Sequence, residues 1–246
     1  MISVIIPTLD AEANLAGTLT ALVPAAVDGL IREVIVVDGG SGDRTVDIVD
    51  NAGAHLVKAS GGRGSQLAAG ALRARFGWFL FLHADTVLAP GWEREAAGFM
   101  EHVDLGKRPL AAAAFRFGLD DVGFRPRLLE RLVAARCAVL RLPYGDQGLL
   151  IPRRLYQEIG GYRPLPLMED VDIVRSLGRR RTTLLATRAV TSAERYRREG
   201  YVRRSTRNVL CLTLYTLGAP MHLITRVYGQ RPGSASNVRE NEIIRP

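Results

Sequence analysis

Four short apolar segments alternate with helical patterns at the start of the chain, and this alternation limits the fold more than any other feature. The segments are 3–7 (SVIIP), 33–38 (EVIVVD), 55–59 (HLVKA) and 78–85 (WFLFLHAD). Between them, leucine and valine residues recur at the spacing of a helix that buries one side. Strands and helices that alternate in this way form a mostly parallel sheet, buried on both faces by helices. We therefore predict an α/β fold that binds its ligand at the carboxyl ends of the strands.

The second part of the chain is less regular, but its apolar spacing still predicts helices and strands. Two helices are expected before the Gly-flanked segment YGDQG, and a third begins at MEDVD. A last apolar helical stretch contains a glycine and a proline that interrupt it. The predicted helices are 92–103, 127–142, 168–180 and 205–228, and the predicted strands are 110–118 and 148–152.

Three of the predicted strands have an aspartate at their carboxyl end: Asp10 follows the first, and Asp38 and Asp85 end the second and the fourth. A single acidic residue at a strand end is often a turn former or a helix cap. Three at one edge of a parallel sheet instead indicate a ligand site. Carboxylates repel bare phosphates, whereas a divalent cation held by carboxylate oxygens attracts a diphosphate. We therefore expect Mn²⁺ or Mg²⁺ and a nucleoside-diphosphate ligand at this edge.

Four segments resemble the successive motifs of glycosyltransferase family 2. They are VIIPTLDAEANL (4–15), VVDGGSGDRT (36–45), FLHADT (81–86) and MEDVD (168–172). The likeness extends over residues 2–175 and is strongest to small bacterial transferases with HAD in place of the usual D-x-D, followed by a GDQG loop. It implies a GT-A type fold and transfer of a sugar, with inversion, from a nucleoside-diphosphate sugar to an acceptor hydroxyl. Residues 1–105 would form the nucleotide-sugar-binding half, 106–200 the acceptor half, and 201–246 a basic, apolar helical extension.

The resemblance also implies the residues that bind the donor. The first donor loop would consist of Pro7, Thr8 and Glu12. Asp38 would form a hydrogen bond with the base or the ribose of the nucleotide, and Asp85 would bind Mn²⁺ or Mg²⁺ bridging the two phosphates.

Two further residues are candidates on the donor side. His83 stands where the family has its first acidic metal ligand, and a neutral imidazole supplies one negative charge fewer. It is therefore either a second metal ligand or a structural residue beside the strand end. Arg63 lies in the glycine-rich segment 60–70, which suits either a diphosphate contact or a plain flexible loop.

The acceptor side and the catalytic group come from the later motifs. The resemblance implies that Asp146 and Gln147 border the sugar and the acceptor, although a buried pair bonded to the backbone is an equally good interpretation. Asp170 would be the general base of the transfer, with Glu169 beside it. Without the upstream motifs, both would be read as favourable charges in the first turn of a helix. The segment 191–200 adds arginines that are either ligand contacts or a solvated basic face.

Two other functions remain open at this point. A nucleotidyltransferase shares the architecture, but it usually has a glycine-rich basic loop after the first strand, where this chain has PTLDAEANL. A non-catalytic nucleotide-sugar-binding protein would keep the fold without the chemistry. Nucleic-acid binding is not expected, because only 7% of the residues are aromatic and they form no stacking platform in the basic cluster.

The charge of the chain is divided unequally. Residues 1–174 carry 18 basic and 21 acidic groups, a net charge of −3, whereas residues 175–246 carry 15 and 4, a net charge of +11. Nearly all the basic residues are arginines, which suit phosphate groups or an anionic membrane surface. The extension is therefore expected to touch a membrane peripherally, to pack on the domain, or to form a homodimer contact. The arginines concerned are Arg203, Arg204, Arg207 and Arg226.

The chain has no signal-peptide pattern at its N-terminus and only two cysteines, Cys137 and Cys211, with no metal or redox spacing. We expect both to be buried thiols and the protein to be cytoplasmic, with the membrane contact at the inner face.

Overall fold

A computed structural model describes residues 1–229 of the protein, and its centre is one eight-stranded sheet. The strands lie in the order β3-β2-β1-β4-β7-β6-β8-β5, so the sheet continues through both predicted halves of the domain. The strands are β1 (Ile2–Thr8), β2 (Ile31–Asp38), β3 (His55–Lys58), β4 (Trp78–Phe81), β5 (Thr86–Leu88), β6 (Ala112–Leu119), β7 (Leu149–Pro152) and β8 (Thr182–Thr191).

Most neighbouring strands are parallel. Strand β1 pairs in parallel with β2 and β4, β2 with β3, and β6 with β8. Strand β7 lies antiparallel between β4 and β6, and β5 lies antiparallel to β8 at the edge. The predicted α/β fold with a mostly parallel sheet is confirmed.

Helices cover both faces of the sheet, as the apolar spacing predicts. They are α1 (Leu15–Thr20), α2 (Val23–Val27), α3 (Thr45–Asn51), α4 (Arg63–Arg73), α5 (Trp92–Asp104), α6 (Phe124–Leu140), α7 (Arg153–Glu158), α8 (Glu169–Leu177), α9 (Glu194–Glu199), α10 (Tyr201–Thr216) and α11 (Met221–Tyr228). Two 3₁₀ turns, Gly145–Gln147 and Arg179–Arg181, complete the elements.

The core has one layer on each face of the sheet. Every residue of β1 is buried, and alternate side chains enter different layers: Val4 and Ile6 pack with α1 and α5, and Ile5 packs with α4 and α8. This pattern is the one predicted for a central strand. The same prediction is wrong for β3, which lies at the sheet edge with its residues half-buried or exposed.

The C-terminal stretch forms two helices rather than one. Helix α10 ends before Gly218, whose φ of 77° is left-handed, and α11 begins after Pro220, so both predicted breaks lie between the helices. The two helices bury Cys211 and Ile224 together with Leu167. Both cysteines are buried free thiols, as predicted. Residues 230–246 of the predicted extension lie outside the described part of the chain.

Within residues 1–229, no helix combines the length and the apolar character needed to span a bilayer.

Candidate active site

A cavity of about 120 Å³ lies at the carboxyl ends of β4 and β8, where a mostly parallel sheet is expected to bind its ligand. We call it the cleft. Six of the predicted site residues line it, although they come from distant parts of the sequence. These residues are Arg63, His83, Asp85, Asp146, Glu169 and Asp170.

The floor of the cleft is the turn between β4 and β5, which carries His83 and Asp85. Helix α1 holds this turn, because the Thr18 hydroxyl donates a hydrogen bond to the carbonyl of Ala84 at 2.8 Å. The Asp85 carboxylate has only long contacts, with the nearest at 3.4 Å from the hydroxyl of Thr191. Its oxygens therefore remain available to a ligand.

His83 is held in its neutral form by its surroundings. Burial lowers its pKa to about 4, the positive charge of Arg63 acts in the same direction, and Asp85 and Asp170 oppose them. A neutral imidazole has a free ring nitrogen lone pair, which is the form that binds a metal.

The three strand-end aspartates do not form one metal site. Among residues 1–229, no group of three or more His, Cys, Asp or Glu side chains is arranged to hold a metal ion. Of the three, only Asp85 is among the described residues that line the cleft. Two candidate ligands, His83 and Asp85, face the cleft.

Asp38 is occupied by its own loop instead. One carboxylate oxygen accepts hydrogen bonds from the backbone N–H groups of Gly40 at 2.9 Å and Ser41 at 3.0 Å. The other accepts from the hydroxyls of Ser41 and Thr8. Burial would raise the pKa of Asp38, but these hydrogen bonds lower it below its ordinary value.

The other acidic residues of this region join the loops after β1 and β2. Asp10 accepts a hydrogen bond from the N–H of Gly42 at 2.8 Å, and Glu12 accepts one from the N–H of Arg44 at 2.9 Å. The N–H of Glu12 in turn donates to Asp43 at 3.0 Å. The two loops are thus joined by carboxylates. The predicted donor loop of Pro7, Thr8 and Glu12, together with Asp38, lies at this end of the sheet but outside the residues that line the cleft.

One wall of the cleft is an ion pair that links two helix starts. Arg63 opens α4 and donates to the Glu169 carboxylate at 3.2 Å, and Glu169 opens α8 with its side chain almost fully buried. Burial alone would lower the pKa of Arg63, but Glu169 and then Asp170 raise it above its ordinary value. The arginine therefore remains a fixed positive charge in the cleft.

Asp170 is positioned by two backbone groups. Its carboxylate accepts a hydrogen bond from the N–H of Gly145 at 2.9 Å and another from the N–H of Val171 at 2.7 Å. Met168, two residues before Asp170, adopts a left-handed φ of 65°, a conformation that is uncommon for a residue with a side chain. Such conformations concentrate at functional sites.

Gly145 allows the GDQG loop to approach the floor of the cleft. A Cβ atom at this position would lie 2.5 Å from Nε2 of His83 and 3.4 Å from Cβ of Asp170. Only a glycine lets the loop, the histidine and the aspartate meet in this arrangement.

Asp146 lines the cleft with a carboxyl group whose hydrogen-bonding capacity is not filled by the described residues. Its Oδ1 atom is buried and has no hydrogen-bond partner among the described residues. Burial raises the pKa of Asp146 to about 6, the positive charge of Arg136 opposes the shift, and Asp170 and Asp85 add to it. Burial raises the pKa of the nearby Tyr144 to about 12. The Arg136 guanidinium lies over the Tyr144 ring, 3.4 Å from its centroid.

Gln147 does not line the cleft, unlike Asp146. Its amide donates to the carbonyl of Phe115 at 2.8 Å and accepts from Arg136 and from the N–H of Tyr144 at 3.2 Å each. These bonds use the Gln147 side chain to hold the loop. They fit the interpretation of Gln147 as a buried residue bonded to the backbone, and not as a sugar or acceptor contact.

The acidic start of α8 presents its three carboxylates in two directions. Glu169 and Asp170 both line the cleft. Asp172 instead accepts hydrogen bonds from Nε of Arg163 and from the hydroxyl of Tyr215, at 2.7 Å each. It therefore ties α8 to α10.

The C-terminal helices supply a wall of the cleft that the sequence analysis did not predict. Arg204 and Asn208 of α10 and Tyr228 of α11 line it, beside Arg195 and Tyr196 of α9. No motif marks the first three, because the recognised likeness ends near residue 175. Arg195 belongs to the segment 191–200, whose arginines are candidate ligand contacts. Arg197 of the same segment instead forms ion pairs with Asp120 and Asp121.

The C-terminal arginines expected at a membrane are partly used inside the protein. Arg204 and Arg207 both form ion pairs with Glu199. Arg204 is buried and lies over the ring of Tyr196 at 5.0 Å from the centroid. These two side chains are therefore not available to lipid headgroups, and of the three alternatives for the extension they fit packing on the domain.

Comparison with known proteins shows a family likeness in the first part of the chain. Residues 3–108 match the family model described as glycosyl transferase family 2. The match ends before the GDQG loop and α8. No curated protein matches the chain in sequence.

Solved structures share the GT-A fold over almost the whole chain. TarS from S. aureus is 16% identical with a TM-score of 0.60, and the alignment covers 93% of this chain and 69% of TarS. Glucosyl-3-phosphoglycerate synthase from Mycobacterium tuberculosis, crystallised with Mn²⁺ and uridine-diphosphate-glucose, is 21% identical with a TM-score of 0.61, covering 89% of this chain and 80% of the synthase. A second structure of that synthase, with Mn²⁺, UDP and glucosyl-3-phosphoglycerate, is 19% identical with a TM-score of 0.58, covering 89% and 81%.

Proposed function

We propose that this protein transfers a sugar from a nucleoside-diphosphate sugar to an acceptor hydroxyl, with inversion at the anomeric carbon. The observation that carries the proposal is the cleft itself, where two candidate metal ligands, a fixed arginine and a backbone-held aspartate meet at the carboxyl ends of the strands. The match of residues 3–108 to the glycosyl transferase family 2 model supports it, as does the fold shared with a synthase crystallised with Mn²⁺ and uridine-diphosphate-glucose.

The donor is proposed to enter with its diphosphate between Arg63 and Asp85. Arg63 offers a charged planar fork to phosphate oxygens, and its ion pair with Glu169 aims it into the cleft. The loops after β1 and β2, with Pro7, Thr8, Glu12 and Asp38, are proposed to receive the base and the ribose. Their mutual hydrogen bonds make this part of the site rigid before the donor arrives.

The residues of the floor fit a divalent cation, Mn²⁺ or Mg²⁺. Asp85 has a carboxylate without close partners, and burial keeps His83 neutral, so both can donate an electron pair to a metal. His83 and Asp85 would hold the ion, and its positive charge would stabilise the leaving diphosphate.

Asp170 is proposed as the general base. An acceptor hydroxyl is a weak nucleophile until its proton is removed, and a single in-line displacement then inverts the anomeric carbon without a covalent intermediate on the protein. The N–H groups of Gly145 and Val171 hold the Asp170 carboxylate in place for this step. Asp146, with an unpartnered oxygen, is proposed to hydrogen-bond the sugar or the acceptor.

Donor turnover in the presence of Mn²⁺ tests the proposal. We expect one or a few nucleoside-diphosphate sugars to stabilise the protein in a thermal-shift screen, by about 2.7 kcal/mol at 100 times the dissociation constant. The same donors should release nucleoside diphosphate, slowly to water and faster with an acceptor. Binding without any release would identify a non-catalytic nucleotide-sugar-binding protein, and release of pyrophosphate from a nucleoside triphosphate would identify a nucleotidyltransferase.

A further inference from the structure

Helix α6 exposes an apolar face that nothing in residues 1–229 covers. Its outward side chains recur at positions 124, 128, 132, 135 and 139, every three or four residues, so they lie on one side of the helix. The exposed fractions are 76% for Phe124, 59% for Leu132 and 64% for Val139. The opposite side, with Pro126 and Cys137, is the buried one. An apolar face of this length indicates an interaction surface.

A cavity lined by four arginines adjoins the end of this face. The cavity has a volume of about 460 Å³, and no acidic residue lines it. It lies at the starts of β6 and β8, whereas the cleft lies at the end of β8, so roughly 25–30 Å of strand separates them. The arginines are Arg108, Arg141, Arg179 and Arg180.

These arginines lack the acidic partners that eleven other arginines of residues 1–229 have. None of the four forms an ion pair with a residue of the described chain, whereas the adjacent Arg181 pairs with Glu158 at 2.7 Å. Four like charges around one cavity repel each other, and an anion that enters the cavity removes this repulsion. Guanidinium groups bind phosphate in a planar, two-pronged geometry.

The apolar face and the arginine cavity form one continuous surface. Ala138 lines the cavity and is the residue before Val139, the last member of the apolar face. Arg179, a lining residue, donates a hydrogen bond to the carbonyl of Val139. Two more exposed arginines without described ion pairs, Arg125 and Arg131, lie along the helix. We call this combined surface the α6 face.

We propose that the α6 face docks on an anionic phospholipid membrane, with apolar side chains at the acyl boundary and lipid phosphates in the arginine cavity. Exposed apolar residues flanked by arginines are the arrangement by which helices lie on such membranes. A second copy of the chain would bring arginines against arginines. Residues 230–246 carry three arginines and two glutamates, a net charge of +1, and so do not complement the α6 face either.

Co-sedimentation of the full chain with vesicles tests this proposal. We expect binding to vesicles that contain phosphatidylglycerol, little binding to pure phosphatidylcholine, and weaker binding as salt is raised. Arg141→Gln with Arg180→Gln should weaken binding roughly twenty-fold, about five-fold for each arginine. Leu128→Ser with Leu132→Ser should weaken it about ten-fold through lost apolar burial.

Leu72→Ser and Arg73→Gln are the matched controls. Leu72 is 84% exposed on α4, which packs on β1 and β2 rather than on β6, and both controls should bind as the unchanged protein does. All variants change exposed side chains, and an unaltered thermal unfolding midpoint verifies that they are folded. Donor turnover in solution should also be unchanged, since the cleft is not touched.

Three results would overturn the docking proposal. The first is no sedimentation with phosphatidylglycerol vesicles at low salt, and the second is sedimentation that the α6 variants leave unchanged. The third is an interaction of another kind: inorganic phosphate that binds the arginine cavity without vesicle binding, or a dimer that the Leu128 and Leu132 changes dissociate.

Discussion

Carboxylates are concentrated in two regions of this protein, and their environments differ. In the loops after β1 and β2, Asp38 and Glu12 accept hydrogen bonds from backbone N–H groups. Around the cleft, Asp146 has a buried oxygen without a described partner, and Glu169 is buried against a single arginine. The pKa of Asp38 is lowered, and burial raises the pKa values of Asp146 and Glu169.

The contrast separates residues that build the site from residues that meet the ligand. A carboxylate bonded to its own backbone stabilises a loop and has little capacity left for other partners. A buried carboxyl group without enough partners costs stability, and such groups concentrate where a ligand supplies the missing contacts. We therefore propose that the loops form the rigid part of the site and the cleft its reactive part.

The largest effect should come from Asp170, the proposed base. Asp170→Asn should lower turnover by about 10²–10⁴ and leave donor affinity within a few-fold, because the base acts only when the acceptor attacks. Steady-state transfer and donor titration measure the two effects. Asp47→Asn, on the exposed side of α3, should change neither. Full transfer activity in Asp170→Asn would mean that another group removes the proton.

Gly145→Ala should have the next largest effect. The added methyl group would lie 2.5 Å from His83 Nε2, so the loop, the histidine or both must move, and a shift of this size costs about 10²-fold in rate. Transfer rates compared with Gly98→Ala provide the test, since a Cβ at Gly98 meets nothing within 4 Å. Equal rates for the two variants would show that the close approach at Gly145 is not needed.

Asp146→Asn should show that burial of the ionised Asp146 carboxylate costs stability, because the free energy of unfolding of the two proteins should differ in its pH dependence. Because the folded pKa is about 6, above its ordinary value, the stability that Asp146 contributes is present below about pH 4 and is lost as the pH rises through 6. The neutral variant should therefore match the unchanged protein at pH 4 and exceed it by up to about 3 kcal/mol at pH 8. Denaturant unfolding at several pH values measures this difference. A variant that is less stable at every pH would contradict the assignment.

Asp38→Asn should show the opposite dependence with a smaller effect. The pKa of Asp38 is lowered, so its contribution is present above its ordinary value of about 3.9 and is lost as the pH falls below it. We expect a loss of about 1–2 kcal/mol at pH 7, because the hydrogen bonds from Gly40 and Ser41 weaken, and a smaller loss at pH 3. The same unfolding series measures it. Both variants are compared with the unchanged protein by their difference in unfolding free energy. If this difference changed in the same direction with pH for Asp38→Asn and Asp146→Asn, the contrast between the two regions would be contradicted.

The sequence predicts the central part of this fold well, because the strands there are short apolar runs. Strands β1 and β2 are buried as their residues indicate, and Asp85 lines the cleft at the carboxyl end of β4. The exposure of β3 could not be read from HLVKA, since an edge position depends on which strands pair across the sheet.

The chemistry of the site was predictable only where a motif carries it. Asp170 and His83 were found in this way and both line the cleft. The wall formed by Arg204, Asn208 and Tyr228 depends on how two C-terminal helices pack against the domain, which no local pattern specifies.

Donor binding by the unchanged protein and by Asp85→Ala, each with Mn²⁺ and with chelator, tests the central claim most directly. The account predicts that a nucleoside-diphosphate sugar binds the unchanged protein only with Mn²⁺, and that Asp85→Ala loses this binding while its unfolding midpoint without donor is kept. Calorimetric titration supplies both affinities. Equal donor affinity for the two proteins, with and without chelator, would contradict the placement of the donor diphosphate at Asp85.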